Sequence, residues 1–554
     1  MTTFTIQRLW RKVAAAGLAV ACTAGLVACG VNTGAGTTTG GSGTGSSQTG
    51  DTIRYALWSN PNGQFNPVTY FTDYDRAIIF NVYSRLVVLD KDQNYQPSLA
   101  KSYEWSKDGK TLTFKLRDGV KWHDGKDFTS ADVAFTYTAT ADKDFPLDPP
   151  ALVTYLEGYD DFHAGKTKDF PGITTPDDTT VEFHFAKTYS GALTTFSDKP
   201  ILAKHVWEST PVGQWNKATD LLKNPIGTGP YKFKEFVDGQ YVSLTANDDY
   251  FGGKPKTKNL IFKVVSPDTL QTAVINNEVD LGEISNFNSK ELDTYKSENI
   301  NVVENEGNGG QYLAFDVKNP KLADKRVRQA LLYAIDRKGL IDSLLYGHGV
   351  TFNAQAQPSD PYYPTDELND YAYSKDKAKE LLKEAGWTDT DGDGILDKNG
   401  EKFTFTINYP SGNKTRELSA PIIQKNFQDI GIDAKLSEAD FNTTLAILQD
   451  PDKQYDGVLM GATFRPQQYG TNNWWTRWDE NAEAKAALDK VNTTTDADAL
   501  KAAVNDYLKL ENEEVPMAFL YIPNQGTAVR PEVKGFERST YEIFSNVTDW
   551  TISK

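Results

Sequence analysis

The tract from Gly30 to Gly50, GVNTGAGTTTGGSGTGSSQTG, divides this chain into parts that cannot be read alike. Gly, Thr and Ser dominate it, and they supply almost no apolar surface to offset the entropy of ordering a backbone. A chain of this composition is a flexible coil with a reach of roughly 25 Å. Folding is therefore expected from Asp51 onward, where more than 500 residues remain. That length exceeds one ordinary core and predicts two or three structural domains. Cysteine cannot staple them: Cys22 and Cys29, the two in the chain, both precede the tract. Disulfides and cysteine-held metals are thus excluded from the body. Packing has to hold it, and 28 Phe, 27 Tyr and 11 Trp supply the means.

Ahead of the tract, Arg8, Arg11 and Lys12 give a positive start, and Val13 to Ala28 is an apolar run. Its length suits a secretory signal and falls short of the ~20 residues of a membrane-spanning helix. Leu26-Val27-Ala28-Cys29 resembles the bacterial lipobox, where the chain is cut before the cysteine and its sulfur receives a diacylglycerol. The resemblance implies a signal peptide over 1–28, lipidation at Cys29 and a tether over 29–50 that holds the body off a membrane. Such an anchor is firm because two acyl chains hold far better than one. No later apolar run approaches spanning length. The net charge of −17 argues against a nucleic-acid partner, which needs clustered Lys and Arg. It fits the acidic surface of a soluble secreted protein.

Strand and helix signals alternate along the body. Asp108-Gly109 marks a tight turn, followed by Leu112, Phe114 and Leu116 in alternation with polar residues. Val181, Phe183 and Phe185 repeat the pattern, and Asp238-Gly239 predicts another hairpin. Thr129 and Asp132 form a capping box that opens a helix through Tyr137. Val327, Ala330, Leu331 and Ala334 share one helical face, as do Ala378, Leu381, Leu382 and Ala385 before the stop at Gly386. The mixture indicates an α/β or α+β body without internal repeats.

Catalytic motifs fail on inspection. GVKWHDGKD has five residues between Gly119 and Gly125 where a phosphate loop needs four, and Asp127 stands where Ser or Thr should bind magnesium. Neither a G-x-S-x-G elbow nor an H-E-x-x-H pair is present. His123, His163, His184, His205 and His348 are scattered singly. In DTDGDGILD, Asp389, Asp391, Asp393 and Asp397 surround Gly394 at spacings a calcium ion favours. Position twelve is Gly400, so the bidentate Glu of a full calcium loop is missing. The alternatives are a structural calcium and a metal-free Asp-Gly turn; no cofactor is required.

Five stretches, in order, carry a resemblance: LAKSYEWSKDGKTLTFKLRDGVKWHDGKDFTSADV (99–133), NPIGTGPYKF (224–233), LADKRVRQALLYAIDR (322–337), AGWTDTDGDGILDKNG (385–400) and VPMAFLYIP (515–523). Together they resemble the extracytoplasmic solute-binding proteins of peptide-type ABC importers, family 5. The resemblance implies an α/β, two-lobed, hinged binding-protein fold in its large three-domain variant, with discontinuous domains. Segments 51–85, 225–318 and 515–554 would form lobe I, 86–224 an extra domain attached to it, and 319–514 lobe II. It implies no catalysis, and a monomer on the outer face of the cell membrane, or on its periplasmic side where an outer membrane exists. The ligand would be an oligopeptide, delivered to a membrane permease. Oligosaccharide binding, and an adhesin or structural module on the same fold, stay open.

The implied ligand site combines Trp58, Asn60 and Phe65 with Gly461, Ala462, Thr463, Phe464, Arg465, Trp474, Trp475 and Tyr521. Many peptide-binding relatives place an Asp in the matching region, but this chain has no acid between Asp456 and Asp479. Two readings of Arg465 stay open: a partner for a ligand carboxylate, which bidentate geometry would suit, and a solvated loop arginine. Trp474, Trp475, Trp478, Tyr469, Trp58 and Phe65 have two readings, as faces on which sugars stack or as core packing. If 474–475 is extended, only one of the two tryptophans faces the cleft.

Overall fold

A computed structural model describes residues 49–450, 452–471 and 473–553. The signal peptide, Cys29 and the tether up to residue 48 lie outside the described residues. Thr49–Gly50, the end of the expected tether, departs from that expectation: it pairs as a short strand with Ser553 and Ile552. Small residues suit this place, since a Cβ on Gly50 would meet the Ile552 side chain at 2.8 Å.

The hairpins form where alternation and turn residues place them. Ala100–Trp105 and Thr111–Leu116 pair antiparallel around Gly109, whose φ of +66° needs a residue without a Cβ. Thr180–His184 joins on the other side of Thr111–Leu116 and pairs in turn with Ile173–Asp177, giving a four-stranded sheet. Its inward residues Leu112, Phe114, Val181 and Phe183 are fully buried. The helix Ser130–Ala141 covers them; its capping box is formed, and it runs one turn beyond the expected end at Tyr137. Tyr137, Phe183 and Phe196 meet edge to face at 4.6–5.3 Å. This core is continuous with Ile53, Tyr55 and Phe262 of the large sheet, so 86–224 and the first-lobe segments share one interior.

The large sheet has twelve strands and mixed directions. Its path runs Asp433–Ala439, Thr404–Pro410, Gly457–Thr463, Gly309–Phe315, Met517–Val529, Leu281–Glu283, Thr52–Leu57, Asn259–Val264, Tyr241–Ala246 and Tyr231–Val237. The thirteen-residue strand Met517–Val529 belongs to both halves. Its first part pairs with Gly309–Phe315, and its last part with Leu281–Glu283 and Asn301–Glu306. The passage from one half to the other lies at Gly307, whose N–H donates to the Pro523 carbonyl at 3.2 Å. A Cβ on Gly307 would meet that same oxygen at 2.4 Å. Residues 309–315 and 515–521 consequently pack with the second lobe and not, as the sequence boundaries had them, with the first. Leu313, Phe315, Val515, Ala518 and Tyr521 are buried among the helices Lys325–Ala334 and Lys414–Gln428. The amphipathic faces expected at 327–334 and 378–382 are buried in this same core.

Candidate ligand-binding cleft

The strand Thr52–Leu57 runs parallel to both Asn259–Val264 and Leu281–Glu283. In sheets of this kind ligands sit beyond the carboxyl ends of parallel strands, where connections diverge. A cavity of 310 Å³ opens there, reached by Tyr55 to Trp58 and walled by the helix Asp73–Val82 and the segment Thr540–Phe544. A second cavity, of 350 Å³, adjoins it between Tyr70–Asp73, the end of the helix Ala192–Asp198 and the loop Thr463–Pro466. Asp73, Arg76, Asn308, Tyr541 and Glu542 line both. The joined space is therefore bounded by the first lobe, the extra domain and the second lobe together.

Its charges are mostly committed. Arg85 holds Glu542 through two nitrogens, both side chains buried, and donates to the Ser197 carbonyl at 2.9 Å. Arg538 binds Glu283 at 2.9 Å and is fixed by Thr527, Gln525 and Asn305. Asp198 faces Arg465 at 3.0 Å and Lys199 at 3.2 Å. Burial works to raise the Asp198 carboxyl; Lys199, Arg465 and Arg76 outweigh it and hold the group well below the usual carboxylate range. The Trp58 indole donates to the Glu283 carbonyl at 2.8 Å, which turns its ring toward the cavity.

Of the residues singled out in the sequence, Trp58, Thr463, Phe464 and Arg465 line the two cavities. Gly461 and Ala462 lie in the strand just before them; a Cβ on Gly461 would meet the Gln311 amide at 2.5 Å. Arg465 does not await a ligand, because Asp198 already occupies it. The others are elsewhere. Asn60 ties down the Asp238-Gly239 turn, donating to the Asp238 carboxylate at 2.7 Å and accepting from the Gly239 N–H at 2.8 Å. Phe65 is fully buried against Phe233 and Phe236, and Tyr521 is buried with its hydroxyl 2.9 Å from Ser419 Oγ. Trp474 and Trp475 belong to a short helix, Asn473–Thr476, and not to an extended segment. Their rings meet edge to face at 5.5 Å outside both cavities. Trp478 and Tyr469 are core residues.

The acidic loop is a separate structure. Oxygens of Asp389, Asp391 and Asp397 come within 4.8 Å of one another, close enough to share a cation. Lys402 reaches among them, donating to Asp391 at 2.6 Å and Asp393 at 2.9 Å. Asp389 accepts from the Gly392 and Gly394 N–H groups, and Asp397 from Thr390. The histidines have structural partners too. His123 is held between the Gly229 carbonyl and the Gly227 N–H, and burial pushes it down to about 4. His348 and His205 face Glu304 and Asp124, His184 lies between two threonines, and His163 meets the Ala141 carbonyl.

The model of the bacterial extracellular solute-binding proteins, family 5 (middle), matches residues 94–484. The chain belongs to that family. It is 32% identical over 503 residues to the oligopeptide-binding protein AppA of Bacillus subtilis, covering 88% of this chain and 89% of that protein. It is 30% identical over 429 residues to the dipeptide-binding protein of Escherichia coli, covering 74% and 76%. The structure of the Bacillus subtilis AppA in complex with a nonapeptide superposes with a TM-score of 0.67 at 28% identity, covering 92% of this chain and all of that one. A solute-binding family is one of binding proteins, not enzymes, and the two-lobed α/β architecture is its fold. Among the described residues no helix is long and apolar enough to cross a membrane.

Several cleft residues carry no mark in the sequence. Thr72 and Asp75 form a reciprocal cap, Thr72 Oγ1 accepting from the Asp75 N–H at 3.0 Å, so TDYDRAIIF is legible as a helix start. Nothing in it shows that Asp73 and Arg76 face Tyr541 and Glu542, more than 450 positions later.

Proposed function

We propose that this protein is the substrate-binding component of an ABC importer, capturing oligopeptides outside the cell and delivering them to a membrane permease. The observation that carries this reading is the joined pair of cavities where the first lobe, the extra domain and the second lobe meet. Aromatic walls from Trp58, Tyr74, Phe80, Tyr541 and Phe464 bury apolar side chains of a ligand, and the few polar groups between them orient its backbone. The relatives named for oligopeptides and dipeptides support the ligand class. The crossings at Gly307 and Pro523 are where the lobes turn about each other. A ligand that binds the closed arrangement better shifts the population toward it, and no bond need be made or broken. The lipobox-like segment supports an anchor at Cys29 on the outer face of the cell membrane, and the protein acts as a monomer.

The test is a thermal-shift screen of the purified protein with pools of di- to octapeptides and with a panel of oligosaccharides. A ligand present at a hundred times its Kd stabilises the folded state by about 2.7 kcal/mol. Peptides are expected to raise the melting temperature and sugars to leave it unchanged; the reverse result would overturn the peptide reading. For the anchor, wild type is expected in the membrane pellet and Cys29→Ser in the soluble fraction. Identical fractionation of the two would remove the lipid from the scheme.

A further inference from the structure

Two arginines line the paired cavities, and their situations differ. Arg465 is bound to Asp198. Arg76, which lines both cavities, forms no salt bridge among the described residues. It is held by a ring instead: its guanidinium carbon lies 4.2 Å from the centroid of Phe80, one turn along the same helix. Arg85 contacts the same ring, also at 4.2 Å, but Arg85 is spent on Glu542 and the Ser197 carbonyl. Stacking of this kind fixes the plane of a guanidinium while leaving its fork of N–H donors unused.

The cation is real at neutral pH. Burial works against the Arg76 charge, and Glu542, Tyr70, Asp198 and Asp73 more than restore it. Yet none of these acids is its partner: Glu542 belongs to Arg85, Asp198 to Lys199 and Arg465, and Asp73 is exposed in the first turn of the helix. Its remaining neighbour, the Tyr70 hydroxyl, is a neutral hydrogen-bond partner, so this partly buried, ring-held cation lines the junction of two cavities without an ion-pair partner of its own among the described residues.

We propose that Arg76 anchors a carboxylate of the bound ligand, so that the cleft selects peptides carrying one carboxylate at a defined place along their length. The inference rests on the peptide reading of the site. The guanidinium fork matches a carboxylate through two parallel hydrogen bonds. Asp73, three residues earlier and lining the same space, disfavours a second negative charge beside the first. A peptide's C-terminus and an acidic side chain present the same group, and the experiment separates them.

Four randomised nonapeptide pools serve as probes: with or without Asp and Glu, each with a free or an amidated C-terminus. Apparent affinities are measured with wild type, Arg76→Gln and Arg76→Lys, alongside ligand-free melting temperatures. A hydrogen-bonded charge pair of this kind predicts that wild type binds a carboxylate-bearing pool on the order of 10- to 100-fold tighter than the amidated pool without Asp and Glu. A preference lost on amidation assigns the C-terminus, and one lost with Asp and Glu assigns a side chain. Arg76→Gln is expected to bind all four pools alike, at the level wild type shows for the carboxylate-free pool. Should Arg76→Gln fail to fold, Arg76→Lys decides: it keeps the charge but not the fork, and a preference reduced severalfold supports the anchor. An unchanged preference in either variant overturns it. Equal binding of all pools by wild type removes the anchor and leaves the peptide reading standing, whereas binding of none overturns both.

Discussion

At the scale of single residues, His123 shows how a polar group can be structural where its type invites a functional reading. Its Nε2 lies 3.0 Å from the Gly229 carbonyl and its Nδ1 accepts from the Gly227 N–H, an arrangement only the neutral ring satisfies. Burial opposes protonation and takes the group from its ordinary 6.5 to about 4. Between those values the unfolded chain binds a proton that the folded chain refuses. The contribution is complete above pH 6.5 and is lost as pH falls through about 4. It amounts to about 3 kcal/mol at 1.36 kcal/mol per pH unit. Urea unfolding at pH 7 and pH 4 is expected to show this loss in wild type on top of the general effect of titrating carboxylates. His123→Gln, which cannot titrate, is expected to show a drop smaller by that amount; equal drops would refute the assignment. Residue type was similarly a poor guide at Phe65 and Tyr521, whose rings are core, and at Asn60, which secures a turn.

At the scale of elements, local sequence was a good guide wherever one element settles its own conformation. The hairpin at Gly109, the capping box at Thr129 and the helix stop at Gly386, with φ of +87°, each need only neighbours in the chain. The acidic loop 389–397 is local in the same sense: its carboxylates cap its own amides, and Lys402 on the following strand lies among them. The paired tryptophans show where local reading ends. The extended geometry in which one of Trp474 and Trp475 would face the cleft is not formed: Asn473 donates to the Tyr507 hydroxyl at 2.7 Å and Thr476 donates back to the Asn473 carbonyl, closing a helical turn. The first of those partners is 34 residues away. The strand Met517–Val529 presents the same limit, since its apolar run does not reveal that it serves two lobes in succession.

At the scale of the whole molecule, the extra domain and the second lobe are in contact across the cleft. The Pro466 carbonyl accepts from Thr194 at 3.0 Å and Tyr95 at 3.3 Å, and Ser190 donates to the Val491 and Asn492 carbonyls. The Arg465–Asp198 pair completes this contact. Because Arg465 is about half exposed, its pair is screened and contributes no more than about 1 kcal/mol. Arg465→Ala and Asp198→Asn are each expected to speed peptide dissociation by up to about fivefold at low salt, and the double variant by no more than either alone. Stopped-flow release of a labelled peptide checks this, and the effect should shrink in 1 M salt, where the screening length is about 3 Å. Unchanged release at low salt would show that the pair does not restrain opening.

Chain composition and local pattern were enough to exclude disulfides from the body, to locate most hairpins and helices, and to carry the family resemblance. Each of these depends on residues a few positions apart, through turn geometry, capping and period. The cleft depends on the reverse. Trp58, Arg76, Asp198, Arg465 and Tyr541 meet only because a twelve-stranded sheet and three packed bodies bring distant segments together. Periodicity tells which side of an element is buried, not what faces the other side. Whether an arginine is already ion-paired, as Arg465 is, or stacked on a ring with no salt bridge among the described residues, as Arg76 is, was therefore decided by tertiary structure alone.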